Sequence, residues 1–349
     1  MTSLGPIFAD DLARIKPGDR LRLTISAQTS DAAALAQAAL EARARGERVL
    51  VVCADPADVP RLAQEMPWFE PKLDVRPLPD WETLPYDVLS PQEELVSERL
   101  EALYRLTAPT GGADVLLTSA VTASQRLSPV SYIGANTFFF HQGEQISLTT
   151  LQKRLAAAGY ANVKQVLAAG EFAVRGSIVD VFPMGSERPF RLDFFDDEIE
   201  SIRWFDVDTQ RSMESAEEIR LLPGHEFPVD PEALLAFRQR WRREFAGDPK
   251  KSIVYCDIEK EILPPGIEYY LPLFFDETAA LTDYLPPNAR VFLLGDIEAA
   301  LQAFGRDMAS RYKVLAADPQ RPALAPERIW LKPEEFFKSL ANFARFTVE

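Results

Sequence analysis

Val49-Leu50-Val51-Val52 is an unbroken run of strand-forming apolar residues, and a strand of that kind needs cover on both faces. The neighbouring sequence offers that cover. Residues 31–45 are dominated by Ala, Leu, Gln and Glu, with Ser30 or Asp31 placed to cap a helix and Gly46 to close it. Residues 60–66 read as a second helix, and the alternating residues 21–25 as a preceding strand. Strand, helix, strand, helix is the order of a parallel sheet clad by helices, so the expected class is α/β. Residues 75–78 and 114–118 continue it as strands, with residues 97–106 a helix between them whose stripe is Leu100, Leu103 and Tyr104. Residues 290–294 give one more buried strand, followed by a helix through Ala303.

The pattern changes in the middle. Helical alternation lapses over residues 128–136, and a β-rich stretch runs from Phe138 to about Pro223. Residues 172–182 and 190–195 are rich in Phe, Val and Ile and are separated by Pro and Gly, which predicts two strands and a wide turn. Alternation sends Phe190, Leu192 and Phe194 to one face and Arg191, Asp193 and Phe195 to the other; in the first strand Arg175 and Ser177 share a face opposite Val174 and Ile178. An antiparallel hairpin then lays Arg175, Arg191 and Phe195 on one outer surface. An aromatic ring among arginines is a common composition for a docking surface; the competing reading is a Phe195 covered by a neighbouring helix. The simplest organisation is a β-rich domain, residues 135–222, inserted into an α/β domain made of residues 1–134 and 223–349.

Several chemistries lack material. A net charge of −15 opposes non-specific binding to nucleic acid or anionic membrane, and the arginines of residues 231–245 (Arg238, Arg240, Arg242, Arg243) are offset by acids, as on a solvated helix face. Cys53 and Cys256 each adjoin an apolar run and read as buried free thiols, with a disulfide between them left open. His141 and His225 have no ligand pattern around them, so no metal is expected. A phosphate loop needs glycines and a lysine, whereas the turn after the first strand is Ser26-Ala27-Gln28-Thr29-Ser30-Asp31, with an acid where a phosphate would sit. Asp296 has the look of a magnesium-holding strand end but equally of a helix cap. No nucleophile motif is present, and Asp196-Asp197-Glu198 reads as solvated surface. The aromatic loop around Trp81 and Tyr86 reads as packed against the sheet. With no basic leader and no long apolar stretch, a soluble, cytoplasmic, monomeric chain without cofactor or catalytic activity is expected.

Four runs carry a family resemblance: Trp81-Glu-Thr-Leu-Pro-Tyr-Asp, Gly170-Glu-Phe-Ala-Val-Arg-Gly, Val181-Phe-Pro-Met-Gly-Ser-Glu and Arg191-Leu-Asp-Phe-Phe-Asp-Asp-Glu-Ile-Glu-Ser-Ile-Arg. With Phe205-Asp-Val-Asp-Thr-Gln-Arg and Leu263-Pro-Pro-Gly-Ile-Glu-Tyr, they resemble the N-terminal part of the bacterial transcription-repair coupling factors (Mfd) from about Leu21 onward. The resemblance implies a UvrB-like module: a degenerate helicase-type, RecA-like α/β domain, split in sequence, with an inserted β-rich domain that recruits the excision-repair protein UvrA to stalled transcription complexes. It places UvrA docking on Arg175, Arg191 and Phe195, and a vestigial nucleotide site at residues 26–31. RNA polymerase and DNA would be reached only through parts absent from this chain, which is expected to be a truncated portion of a longer protein. The rival expectations are a nucleotide-binding helicase fragment with ATPase activity and a DNA-binding module.

Overall fold

The computed structural model describes residues 14–23, 28–108 and 112–348. In chain order the first part is β1 (Arg20–Leu23), α1 (Gln28–Ala44), β2 (Val49–Cys53), α2 (Asp58–Phe69), β3 (Val75–Pro77), α3 (Glu93–Thr107) and β4 (Val115–Ser119). Two short helices, α4 (Ala120–Ser124) and α5 (Val130–Ala135), lead into β5 (Phe138–His141), α6 (Leu148–Ala157) and β6 (Ala161–Asn162). The strands β7 (Glu171–Arg175), β8 (Ile178–Val181), β9 (Phe190–Phe195), β10 (Glu198–Phe205), β11 (Ser212–Ala216) and β12 (Glu218–Leu221) follow. The chain ends with α7 (Pro231–Glu244), α8 (Ile253–Glu259), β13 (Arg290–Leu294), α9 (Ile297–Leu315), α10 (Pro326–Ile329), α11 (Pro333–Ser339) and β14 (Ala344–Val348).

Six strands form one sheet in the order β1-β14-β13-β2-β4-β3, and every pairing in it is parallel. The central β2 and β4 are buried along their whole length, which is why their sequences are apolar without alternation. Two of the six strands, β13 and β14, come after the β-rich stretch, so the α/β part is discontinuous in sequence. The second sheet, β11-β10-β9-β8-β7-β6, is antiparallel except at β6, and β12 pairs with β5 in a separate ribbon.

Three apolar layers hold these parts together. Small residues of α1, among them Ala32, Ala36 and Ala39, let that helix lie close on Val49, Val51, Val115, Leu117, Phe292 and Phe346. On the other sheet face Leu50, Val52 and Leu116 meet Leu100 and Leu103 of α3, and the same cluster runs on without a break into Phe172, Val179, Leu192 and Ile202. The inner face of the antiparallel sheet therefore shares a core with the parallel one. A third, aromatic layer joins Trp81, Phe237, Trp241, Tyr255, Tyr270 and Trp330.

A buried ion pair ties α3 to the segment that follows β12. Arg99 of α3 is fully buried and donates from Nε to Glu226 Oε1 at 2.6 Å and from Nη2 to Oε2 at 3.2 Å, while Trp81 Nε1 donates to the same carboxylate at 3.0 Å. Arg99 Nη1 reaches the Pro79 carbonyl at 2.7 Å, so all three guanidinium nitrogens donate and both carboxylate oxygens accept.

Several expectations need correction. The segment 172–182 is two strands, because Gly176 at φ 63° begins a two-residue turn that pairs Arg175 with Ile178. Ile178 thereby shares the Arg175 face instead of opposing it. α1 starts at Gln28, so Asp31 sits inside the first turn and not at the cap. A helix, α5, occupies part of residues 128–136, and α9 continues to Leu315, well past Ala303. β14 was not anticipated: Arg345 and Thr347 make its sequence look half-polar, yet it lies between β1 and β13. Cys256 is half-buried, and both cysteines are free.

Candidate protein-docking face

The outer face of the antiparallel sheet is set by register. Ala173 pairs with Asp180 and Asp180 with Arg191, while Ile178 pairs with Arg175 on one side and Asp193 on the other. Side chains at these positions point the same way, and so does Phe195 two residues past Asp193. The opposite face, with Phe172, Val179, Leu192 and Phe194, is core.

Asp180 organises the outer face. It is fully buried, and its carboxylate accepts from Arg191 Nε at 2.6 Å and Nη2 at 3.0 Å and from Arg175 Nη2. Arg191 Nη1 also donates to the Gln210 carbonyl at 3.1 Å and Ser212 Oγ at 3.2 Å, and its guanidinium lies 5.0 Å from the centre of the Phe205 ring. The hydrogen bonds to Asp180 push the Arg191 pKa up, so the group is a fixed cation. Its side chain is only 14% exposed, against 50% for Arg175. Phe205 packs with Val166 and Ala173 in a small satellite cluster that props this end of the face.

Phe195 stands at the far end of β9 and is 68% exposed. No helix among the described residues covers it, so the structure brings Arg175, Arg191 and Phe195 to one face, with two of the three linked through Asp180. Sequence reading missed Asp180; its signal was an acid between two valines, Val179-Asp180-Val181, in a strand otherwise bound for the core.

The carboxyl ends of the parallel strands, where α/β folds bind ligands, are acidic. Ser26 and Ala27 lie outside the described residues. Asp31 pairs with Arg61 of α2 at 2.7 Å, and Arg61 also pairs with Asp58 at 2.8 Å and Glu65 at 3.0 Å. One guanidinium is shared by three carboxylates, which leaves the locale negative. Cys53, at the end of β2, reports it: burial first, then Asp58, with Asp31 and Asp55 contributing, push its thiol up to about 12. Asp296 caps α9, accepting from the Ala299 amide at 3.0 Å. Trp81 and Tyr86 pack onto Tyr269 and Trp330. The α7 arginines Arg238 and Arg240 are paired with Glu259 and Asp276, and Arg242 stacks on Tyr255. Among the described residues no group of three or more His, Cys, Asp or Glu is placed to hold a metal, and no helix is long and apolar enough to cross a membrane.

Residues 138–227, which contain the whole antiparallel sheet, match the UvrB interaction domain family. The chain is 42% identical over 298 residues to the transcription-repair-coupling factor of Escherichia coli (strain K12), covering 85% of this chain and 26% of that protein. It is 44% identical over 277 residues to the transcription-repair-coupling factor of Haemophilus influenzae, covering 78% and 24%. Its relatives are the transcription-repair-coupling factors. The similarity read from the Trp81, Gly170, Val181 and Arg191 runs is thus carried across most of the chain, which spans about a quarter of the length of these relatives. A match to the Bacillus subtilis coupling factor, at 32% identity over 216 residues, covers 57% of the chain and 18% of that protein. The face that carries Arg175, Arg191 and Phe195 lies inside the stretch that matches the UvrB interaction domain, and the acidic strand ends lie outside it.

Proposed function

We propose that this chain is the part of a transcription-repair coupling factor that recruits UvrA in nucleotide excision repair, and that it binds UvrA through Arg175, Arg191 and Phe195. The observation that carries the reading is the Phe195 ring, 68% exposed on the same sheet face as two guanidiniums held by one buried carboxylate, within a segment of the UvrB interaction domain family. A large ring in water is costly and marks an interface, and guanidiniums already oriented by Asp180 lose little freedom on meeting a partner. Arg175 supplies the accessible charge, Arg191 a fixed one at its side, and Phe195 the apolar anchor.

The parallel-sheet part serves as a scaffold and not as an enzyme. Its nucleotide site is vestigial: a polyphosphate approaching α1 would meet Asp31, Asp58 and Glu65 around a guanidinium they already occupy. As boundaries we take residues 135–222 for the docking domain and residues 1–134 and 223–349 for the scaffold, since β1 to β4 share a sheet with β13 and β14. RNA polymerase and DNA would be engaged by other parts of a full-length coupling factor.

Co-elution of the chain with UvrA on gel filtration, repeated with Phe195→Ala, tests the reading. The wild-type chain should shift into the UvrA peak and the variant should not. Equal co-elution of both would overturn the assignment of the face.

A further inference from the structure

A groove of about 630 Å³ runs between α3 and the opposite end of the antiparallel sheet. One wall is α3, where Glu94, Glu98 and Glu101 recur at single-turn spacing and so line one stripe. The other wall is Phe182 and Trp204, with Leu167 standing 58% exposed at the rim. Glu101 is neutralised by Arg105 and Arg220. Glu94 and Glu98 are exposed and have no cationic partner among the described residues, and the same holds for Glu187 across the groove. The Trp204 ring is pinned against Phe190 with centroids 4.4 Å apart and already carries the guanidinium of Arg188 at 5.1 Å. The groove thus joins unpaired carboxylates to a fixed apolar and aromatic wall.

We propose that this groove is a second protein-binding site, which takes an extended basic peptide segment of a partner protein. Its cationic side chains pair with Glu94 and Glu98, and an apolar side chain between them enters the space bounded by Leu167, Phe182 and Trp204. Residues one helical turn apart lie about 5–6 Å from each other, and alternate side chains of an extended peptide are spaced about 6.7 Å, so a cation-x-cation segment matches the α3 stripe. The charge selects the class of partner: unpaired carboxylates on a chain of net charge −15 repel nucleic acid and attract basic protein segments. The groove opens at the Phe190 end of β9, whereas Phe195 ends the same strand about 17 Å away. The two sites can be occupied separately, and the groove does not depend on the UvrA reading.

The probe is a fluorescein-labelled, amidated Leu-Arg-Leu-Arg-Leu peptide titrated with the intact chain and read by anisotropy at low and moderate salt. Saturable binding is expected, with the Leu-Glu-Leu-Glu-Leu counterpart inert. Glu94→Gln with Glu98→Gln should weaken it at least tenfold at an unchanged melting temperature. Glu298→Gln with Glu334→Gln, which makes the same change of net charge on α9 and α11, should leave it within twofold, and so should Phe195→Ala. Absence of saturation, or equal loss in the two double variants, would overturn the proposal, the latter by showing diffuse attraction to an acidic surface. Loss in Phe195→Ala would also overturn it, by placing the peptide on the docking face.

Discussion

Arg191→Ala and Phe195→Ala should weaken UvrA binding alike but affect folding differently, and the difference follows from Asp180. The Asp180 carboxylate is fully buried, and Arg191 supplies two of its hydrogen bonds, at 2.6 and 3.0 Å. Removing one partner of a buried ion pair costs about 3–5 kcal/mol; because half-exposed Arg175 remains to share the charge, we expect about 2–3 kcal/mol for Arg191→Ala. At about 2–4 °C per kcal/mol for units of about 150–250 residues, the melting temperature should fall by roughly 5–10 °C. Phe195 is 68% exposed, so about a third of its surface is covered; a third of the 1.5–3 kcal/mol for full burial is about 0.5–1 kcal/mol, or about 2 °C. Each truncation should cost on the order of 2 kcal/mol of UvrA affinity, about thirtyfold. Arg191→Glu should be worse on both counts, since it sets a second carboxylate against Asp180. Thermal melts and calorimetric titration with UvrA check all three variants. A Phe195→Ala chain that melts lower than Arg191→Ala, or that keeps wild-type affinity, refutes the reasoning.

Three further outcomes are expected. Calorimetric titration with millimolar magnesium-ATP should give no saturable heat, because Asp31, Asp58 and Glu65 already occupy Arg61; clear saturation would sink the vestigial-site reading. Glu226→Gln should cost about 3–5 kcal/mol in urea unfolding, since it leaves the fully buried Arg99 without its counter-charge, and a change under 1 kcal/mol would mean that the pair does not hold the segment after β12 to α3. Burial pushes Glu268 up to about 7 from 4.5, so its contribution to stability is present below pH 4.5 and lost as pH rises through 7; burial pushes His225 down to about 4 from 6.5, so its contribution is present above pH 6.5 and lost as pH falls through 4. These slopes oppose between pH 4.5 and 6.5, so Glu268→Gln should raise stability at pH 8 by about 2–3 kcal/mol and leave the acid limb, and melting curves from pH 4 to 8 that match the wild type would exclude the opposition.

How legible each part was in the sequence depended on how many partners its pattern needed. β2 and β4 were readable because a strand buried on both faces is apolar whatever its neighbours are. β14 was not, since its place between β1 and β13 comes from a chain return of some three hundred residues and not from its own alternation. The outer position of Arg191 and Phe195 followed from period-two alternation within β9 alone. The reading of the preceding strand failed at Gly176, where one residue in the left-handed region converts a continuous apolar run into a hairpin. Asp180 and Glu226 were invisible for a related reason: a buried carboxylate has meaning only beside the guanidinium it meets, and Arg99 and Arg191 reach theirs across different elements.

Those two carboxylates hold their guanidiniums in different settings. Glu226 accepts from Arg99 and Trp81, so the donors around it are spent on holding the segment after β12 against α3 and the Trp81 loop. Asp180 lies under the outer face instead, and it fixes Arg191 while leaving Arg175 half exposed. A lone arginine on a strand would lose rotamer freedom on meeting a partner; here the carboxylate and the Phe205 ring have already removed much of it during folding. Phe195 needs no such support, because a ring at a strand end has only two rotatable bonds and a backbone paired to Glu198. The same register that buries Leu192 and Phe194 in the core therefore presents Arg191 and Phe195 outside it. A one-residue slip of β9 would exchange the two sets, so the outer face, and with it the proposed docking surface, is specified by the core beneath it.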